Sequence, residues 1–423
     1  MEVTGSIPGL PQAGILANNR LVQHLADNQY IECPNTPCLF RHTSRETTFT
    51  LVVDDFGVSY KNEEDAKDFL TVLQKQYAIT INRTGTSYLG LTILWDRMNR
   101  TVTISLPGHV AGALTKLHFS SPAKRVNSPT PFIAPKYGTE SQLLDKEEMD
   151  NSPTLSAEWT TWVQSAIGSF LYYARAVDPL MECAVSKLGS RQASPTEKVK
   201  ADVMHFLAYA HTWPNASITY HASDMKLYIY TDASYLSETK SRSRAGAIYY
   251  LGNNKHDPTQ VINGSFDVLS TIISTVVSAA SEAEYAAQFE GGARGEQHRS
   301  ALADLGYPQN ATPIISDNSV AVGIAMDTVK QRRSRSIFMR YHWIRDRVRL
   351  GHYTVIYEKG ENNKADFLTK TLSPSIFHSR RHWYDSSCKI PENLESTPTK
   401  TVRTTRLLPK PFKLTSPARL LIT

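Results

Sequence analysis

Four carboxylates carry the chemistry of this chain: Asp232 in LYIYTDAS, Glu284 in SEAEYAA, Asp317 in TPIISDNS and Asp366 in KADFLTK. Each falls at the end of an apolar strand-like run or in the opening turn of a helix-like one. Gathered at one sheet edge, they would repel one another unless a cation lay between them. Carboxylates without His or Cys favour hard, oxygen-seeking ions such as Mg²⁺ or Mn²⁺, and two such ions roughly 3.5–4 Å apart stabilise the attacking water and leaving oxygen of phosphodiester cleavage. The chemistry is metal-assisted hydrolysis. Singly, each acid also has an ordinary role: Asp232 as a turn residue, Glu284 in a Ser281-x-x-Glu capping box, Asp317 as a helix cap, and Asp366 as a first-turn acid at a helix dipole. Their order and topology, more than any one acid, point to a site.

The elements that must hold them begin near Leu227. The pattern predicts strands at LYIYTDAS, AGAIYYL and within TIISTVV, then a helix over about Ser281–Leu305. Strand TPIISD, helix NSVAVGIAM, a basic helix near Ser336–Arg349, strand HYTVIYEK and a final helix from about Asn363 follow. Three strands, then strands alternating with helices, describe one mixed sheet covered by helices. Upstream, LVVDDFGVSY reads as a hairpin with Asp54 and Asp55 at its tip, Asn62–Ala78 as an amphipathic helix, and YLGLTI and TVTISL as strands, an α+β pattern. Residues Asn127–Pro153 read as a loop or linker. Two helices are expected at about Trp159–Ala176 and Glu197–Thr212.

The charge is local. Net charge is only +6, yet Lys330, Arg332, Arg333, Arg335, Arg340, Arg345, Arg347 and Arg349 fall within twenty residues that contain one acid, Asp346. Such a segment neutralises phosphates along a duplex without reading sequence. Ile337, Phe338, Tyr341 and Ile344 are its expected core face, with Trp343 packed.

With 423 residues, 41% of them hydrophobic, the chain is long enough for two or three domains. No apolar run reaches bilayer length, the N-terminus lacks a signal-peptide pattern, and Cys33, Cys38, Cys183 and Cys388 lack metal-ligand spacing. A cytoplasmic or nuclear protein with reduced thiols is expected, with Cys33 and Cys38 as buried small apolar residues. The tail beyond Asp385 reads as disordered: from Ser396 it carries six Lys or Arg and no acid.

The segments TDAS, SEAEYAA, SDNS and KADFLTK, in this order and spacing, resemble the acidic motifs of the ribonuclease H domain in copia-type retrotransposon Pol polyproteins, over about Lys226–Leu372. The resemblance implies an α/β ribonuclease H-like domain with a mixed five-stranded sheet and helices. It implies Asp232, Glu284, Asp317 and Asp366 as catalytic metal ligands, two Mg²⁺ ions with Mn²⁺ as a substitute, and the RNA strand of an RNA/DNA hybrid as substrate. Glu284 is preferred to Glu282 because it precedes Tyr-Ala-Ala. Many cellular ribonucleases H carry a mobile histidine in the loop before the last acid. That loop here is GENN, and His352, at the start of the preceding strand, is not a substitute.

VVDD, with GLPQAG upstream and YLGLTI downstream, resembles a reverse transcriptase palm, and IGSFLYYARAVDPLMECAVSKL resembles the segment after the thumb in copia elements. This implies an α+β palm and thumb remnant with Asp54 and Asp55 as its metal-binding pair. The third aspartate of that family has no match here, since Glu2 is the only acid before Asp27, so nucleotide addition by this chain alone is not expected. Neither a protease Asp-Thr/Ser-Gly triplet nor an integrase zinc cluster is present.

The expected organisation is a truncated reverse transcriptase at 1–125, a linker and helical connection at 126–215, the ribonuclease H-like domain at 216–385, and a basic tail at 386–423. The expected function is a metal-dependent endonuclease acting on RNA/DNA hybrids. It contacts nucleic acid through Arg332, Arg333, Arg335, Arg340 and Arg345, requires neither membrane nor small-molecule cofactor, and associates with other retrotransposon products. The alternatives are a polymerase fragment active only in a longer product, and a catalytically dead nucleic-acid-binding remnant.

Overall fold

A computed structural model describes residues 11–133, 150–257, 262–329, 339–388 and 419–421. It divides into two compact units, residues 1–93, 300–308 and 397–423, and residues 94–299 and 309–396. The expected boundaries at 125/126 and 215/216 both fall inside the second unit.

In the first unit, helix α1 (Pro11–Asp27) precedes strands β1 (Tyr30–Glu32), β2 (Leu39–His42), β3 (Thr47–Val52) and β4 (Asp55–Tyr60), paired antiparallel in that order, and helix α2 (Glu63–Gln74). Asn62 caps α2 by accepting a hydrogen bond from Asp65 N at 2.9 Å. This satisfies one of the donors that a helix start leaves open. Alternate residues of β3 and β4 (Phe49, Leu51, Phe56, Val58) and the apolar face of α2 (Phe69, Leu70, Leu73) bury one core. Val52 pairs with Asp55, so the hairpin tip is Val53–Asp54, with Val53 at φ 60°, a left-handed conformation that a β-branched residue rarely adopts. Cys33 is buried, but Cys38 is exposed at φ 66°, because its N–H reaches back to Glu32 Oε1 at 2.6 Å across the β1–β2 turn; the burial expected for it is not observed.

Strands β5 (Ser87–Tyr88) and β6 (Leu91–Asp96) form a short hairpin. The second unit then runs through β7 (Thr101–Ser105), α3 (His109–Lys116), α4 (Ala157–Ala176), α5 (Glu182–Gly189), α6 (Glu197–Thr212) and β8 (Ser217–His221). β7 and β8 pair antiparallel from Thr101–His221 to Ser105–Ser217, so residues more than a hundred positions apart in sequence share one ladder. Buried charge ties the helices to the end of the unit. Arg381 pairs with Asp178 Oδ2 at 3.0 Å and Asp385 Oδ2 at 3.0 Å, donates to Tyr209 Oη, and lies over the Trp213 ring at 4.6 Å.

Strands β9 (Lys226–Glu238), β10 (Arg242–Gly252), β11 (Ser265–Ile272), β12 (Thr312–Ser316) and β13 (Tyr353–Tyr357) form the expected mixed five-stranded sheet, in the order β11–β10–β9–β12–β13. The first three are antiparallel, while β12 runs parallel to both β9 and β13. Helix α7 (Ala280–Asp304) crosses the sheet through glycines: a Cβ on Gly291 would meet Thr231 Cγ2 at 2.8 Å, and one on Gly295 would meet Ile229 Cδ1 at 2.6 Å. The chain thus reaches a helix-to-sheet approach that larger residues would block.

Three expectations are corrected. The third strand is Ser265–Ile272, not one within TIISTVV; the run beyond it buries Ile273 and Val277 without pairing as a strand. Asp366 begins a 3-10 turn, Asp366–Leu368, and a helix, α10 (Pro374–Arg380), starts only after Ser373 caps it. The basic helix reduces, in its described part, to a 3-10 turn at Met339–His342 and α9 (Trp343–Arg349), after α8 (Ser319–Ala325). The tail beyond Asp385, expected to be disordered, lies outside the described residues apart from 386–388 and β14 (Arg419–Leu421), which pairs with β4. No helix among the described residues is long and apolar enough to cross a membrane.

Candidate metal centre

Asp232 sits inside β9 opposite Gly246 of β10, with no exposed surface. Asp317 follows the last residue of β12, and Asp366 opens its 3-10 turn. One carboxylate oxygen from each of these three lies within 4.8 Å of the others. Glu284, buried in the early part of α7, faces them: its carboxyl is raised to about 9, first by burial and then by the charges of Asp232 and Asp317. Burial, partly offset by Lys370, likewise raises Asp232 to about 7. Three elements thus bring Asp232, Asp317 and Asp366 together at one end of the parallel strands; Glu284 of α7 lies outside that grouping, near enough for the charges of Asp232 and Asp317 to act on its carboxyl.

The ordinary roles belong to neighbouring residues. Asn318, not Asp317, caps α8, accepting from Val320 N at 3.1 Å and Ala321 N at 3.0 Å. Glu282, not Glu284, closes the α7 start, accepting from Ser278 N at 2.7 Å and Ser278 Oγ at 2.8 Å. Glu284 accepts a backbone hydrogen bond from Ala233, while its Oε2 is buried without a hydrogen-bond partner among the described residues. A buried carboxylate oxygen left unpaired is costly, and a divalent ion bound beside Asp232 and Asp317 would relieve that cost at Glu284.

Three residues of this site carry no assignment from sequence. Lys370 Nζ donates to Asp232 Oδ1 at 2.8 Å and Asp366 Oδ1 at 2.6 Å. Thr369 Oγ1 donates to Asp232 Oδ2, and Arg380 Nη1 lies 3.6 Å from Asp366 Oδ2. Burial opposes the Lys370 ammonium, but Asp232 and Asp366 outweigh it and hold its pKa above the ordinary lysine value. The signal was the four-residue spacing of Asp366 and Lys370, which places a cation beside an acid. Asn363 secures the loop: its Nδ2 donates to Thr231 O at 3.1 Å and its Oδ1 accepts from Ala365 N at 2.9 Å. Gly360 lies so close to Asp317 that a Cβ would meet Oδ2 at 2.9 Å.

His352 immediately precedes β13, whereas Asp317 follows the far end of its parallel partner β12, and His352 Nδ1 pairs with Glu296 Oε1 at 2.9 Å. It lies at the opposite end of the strands from the acids. Arg345 pairs with Asp327, and Trp343 packs edge-on to Phe289 at 5.7 Å. Tyr341 and Ile344 are fully buried. Arg332, Arg333 and Arg335 lie outside the described residues, as does the side chain of Arg340. Asp54 and Asp55 lie on the first unit's hairpin, apart from the Asp232, Asp317 and Asp366 grouping.

The raised carboxyls give a pH dependence. Their ordinary values are 3.8 for Asp232 and 4.5 for Glu284, so the folded, metal-free protein holds more protons than the unfolded chain between those values and about 7 and about 9. The stability they contribute is present below the unfolded values and is lost as pH rises through the folded ones. The melting temperature in chelator is expected to fall from about pH 5 to about pH 9, and Glu284→Gln is expected to flatten the upper part of that fall. A curve that rises across the window would contradict the assignment.

No family model matches the chain. Along most of its length it is similar to the Pol polyprotein of transposon TNT 1-94 from Nicotiana tabacum, 23% identical over 382 residues, which cover 89% of this chain and 27% of the relative. The Ty1-NL2 Gag-Pol polyprotein of Saccharomyces cerevisiae is 24% identical over 394 residues, covering 88% of this chain and 21% of the relative. The transposon RE1 Pol polyprotein of Arabidopsis thaliana is 29% identical over 222 residues, 52% of this chain and 14% of the relative. The chain therefore spans about a quarter or less of the length of these relatives. Among solved structures, a ribonuclease H1 from Halobacterium salinarum covers 34% of this chain and 94% of its own (15% identity, TM-score 0.24). A foamy viral protease-reverse transcriptase bound to RNA/DNA hybrid covers 95% of this chain and 42% of its own (12% identity, TM-score 0.42). The homologues of this protein are retrotransposon Pol polyproteins. Within that class, the chain fits a fragment of a copia-type Pol.

Proposed function

We propose that this chain is a metal-dependent endonuclease that hydrolyses the RNA strand of RNA/DNA hybrids, at a site formed by Asp232, Glu284, Asp317 and Asp366. The observation that carries the reading is the convergence of Asp232, Asp317 and Asp366 from separate elements, beside a buried Glu284 that feels the charges of Asp232 and Asp317 and has one unpartnered oxygen. Similarity to Pol polyproteins supports it. Mg²⁺ or Mn²⁺ held by these carboxylates supplies Lewis acidity and water activation for phosphodiester cleavage. The protein's own part is positioning. The β9–β10 ladder fixes Asp232, the Ser278–Glu282 closure fixes the α7 turn that carries Glu284, and Asn363 ties the Asp366 loop to β9. Burial of Asp232 and Glu284 keeps water away from these two carboxylates, which strengthens their electrostatic pull on a cation.

The basic residues Arg332, Arg333, Arg335, Arg340 and Arg345 supply phosphate contacts without sequence readout, and hybrid selectivity comes from duplex shape and 2′-hydroxyls. The experiment is to offer the purified protein one labelled RNA, free and annealed to DNA, in Mg²⁺ or chelator, with Asp317→Asn alongside. Cleavage of the annealed RNA alone, in Mg²⁺ and by the unsubstituted chain alone, is expected. No cleavage by either protein, or equal cleavage by both, would remove the proposal.

A further inference from the structure

The last acidic segment carries a cation within the acid cluster itself. Lys370 Nζ bridges Asp232 Oδ1 at 2.8 Å and Asp366 Oδ1 at 2.6 Å, so one ammonium joins carboxylates from β9 and from the 3-10 turn. Thr369 Oγ1 engages the other oxygen of Asp232, and Arg380 stands 3.6 Å from the other oxygen of Asp366. Both carboxylates are therefore neutralised from within the chain, whereas Glu284 Oε2 is not. A divalent ion of the Mg²⁺ class takes carboxylate oxygens at about 2.0–2.1 Å in a near-octahedral shell. An ammonium holding an oxygen from each of two carboxylates competes for those oxygens and repels the incoming charge.

The competition is reversible by construction. The Lys370 side chain is 36% exposed while Asp232 is fully buried, so the ammonium has a way out to water and the carboxylate has none. Its flexible four-carbon stem lets the head group move without the backbone moving. Gly246, beneath this cluster, keeps room for it: a Cβ there would meet Thr369 Cγ2 at 2.7 Å and Leu368 Cβ at 2.8 Å.

We propose that Lys370 is an internal cation that holds Asp232 and Asp366 together in the metal-free protein and must leave them for a divalent ion to bind, so that it sets the metal affinity of the site. The proposal rests on reading the four acids as a metal site. Lys370 is in this sense a positioning residue, acting through the acids.

The test is calorimetric titration of Mn²⁺ into the full chain and into Lys370→Met and Lys370→Gln, with melting curves of each in chelator and in saturating Mn²⁺. The expected result is Mn²⁺ binding by the unsubstituted chain and binding about tenfold tighter, or more, by both variants, since a competing unit charge has gone. Both variants should melt lower in chelator and recover in Mn²⁺, and a Lys370→Met chain that folds only with Mn²⁺ is the same result in stronger form. If Lys370→Met folds in neither condition, Lys370→Gln, which keeps a hydrogen-bond donor without the charge, decides by the same criterion. Variant affinity equal to or weaker than that of the unsubstituted chain overturns the role of Lys370 and leaves the metal site standing. No Mn²⁺ binding by any of the three proteins overturns both.

Discussion

Glu284→Gln is expected to lower hybrid cleavage by about 10²–10³-fold, the cost of removing one preorganised charged group from a buried reaction centre. Glu282→Gln is expected to leave the rate within a few-fold. The two glutamates are two residues apart on one helix, yet their surroundings differ. Glu282 is committed to Ser278, where it closes the start of α7, and because glutamine keeps an accepting oxygen there the substitution costs at most about 1 kcal/mol of stability, with little effect on chemistry. Glu284 faces Asp232 and Asp317 with an unpartnered oxygen. The measurement is single-turnover cleavage of labelled hybrid, paired with a melting curve for each variant. A slow Glu282→Gln beside a fast Glu284→Gln would reverse the assignment, and equal rates would remove both from the site.

Arg381→Met is expected to destabilise the second unit by about 3–5 kcal/mol, because it strands Asp178 and Asp385 as buried charges. Asp178 is fully buried, and burial already pushes its carboxyl upward against the pull of Arg381. Removing the guanidinium leaves burial and the charge of Asp385, opposed only by the backbone hydrogen bond from Leu180. The triple substitution Arg381→Met, Asp178→Asn, Asp385→Asn should recover part of the loss, since no uncompensated charge then remains. Urea melts followed through the tryptophans would show this. A single substitution costing less than about 1 kcal/mol would mean that the cluster is hydrated or rearranges.

That Asp232, Asp317 and Asp366 come together was legible in sequence because each ends a short apolar run or opens a turn, and a mixed sheet collects such ends at one edge. Their partners were not. In SEAEYAA only the following Tyr-Ala-Ala favours Glu284 over Glu282, by resemblance; the physical difference appears once α7 is seen to start at Ala280, which brings Ser278 beside Glu282. Lys370 stood in a quoted segment, but its second carboxylate comes from β9, far away in sequence. β11 was misplaced because Ser265–Ile272 mixes burial classes along its length, while the more apolar run after it only looks like a strand. Residues 126–215 read as a connection by composition, yet Asp178, Tyr209 and Trp213 pack around Arg381, a long-range arrangement that periodicity does not encode.

The pairing of β7 with β8 bears on how the five-stranded sheet can be separated from the rest of its chain. A piece that begins at residue 216 would retain β8 without the strand that saturates its ladder from Thr101 to Ser105. It would also lack the Asp178 and Tyr209 side chains that hold Arg381. Such a fragment would carry a raw β-edge and an Arg381 left with Asp385 alone of its partners, a combination that favours self-association over solubility. The smallest portable form of the five-stranded sheet therefore reaches back to the strand at Thr101 and brings with it the helices between β7 and β8.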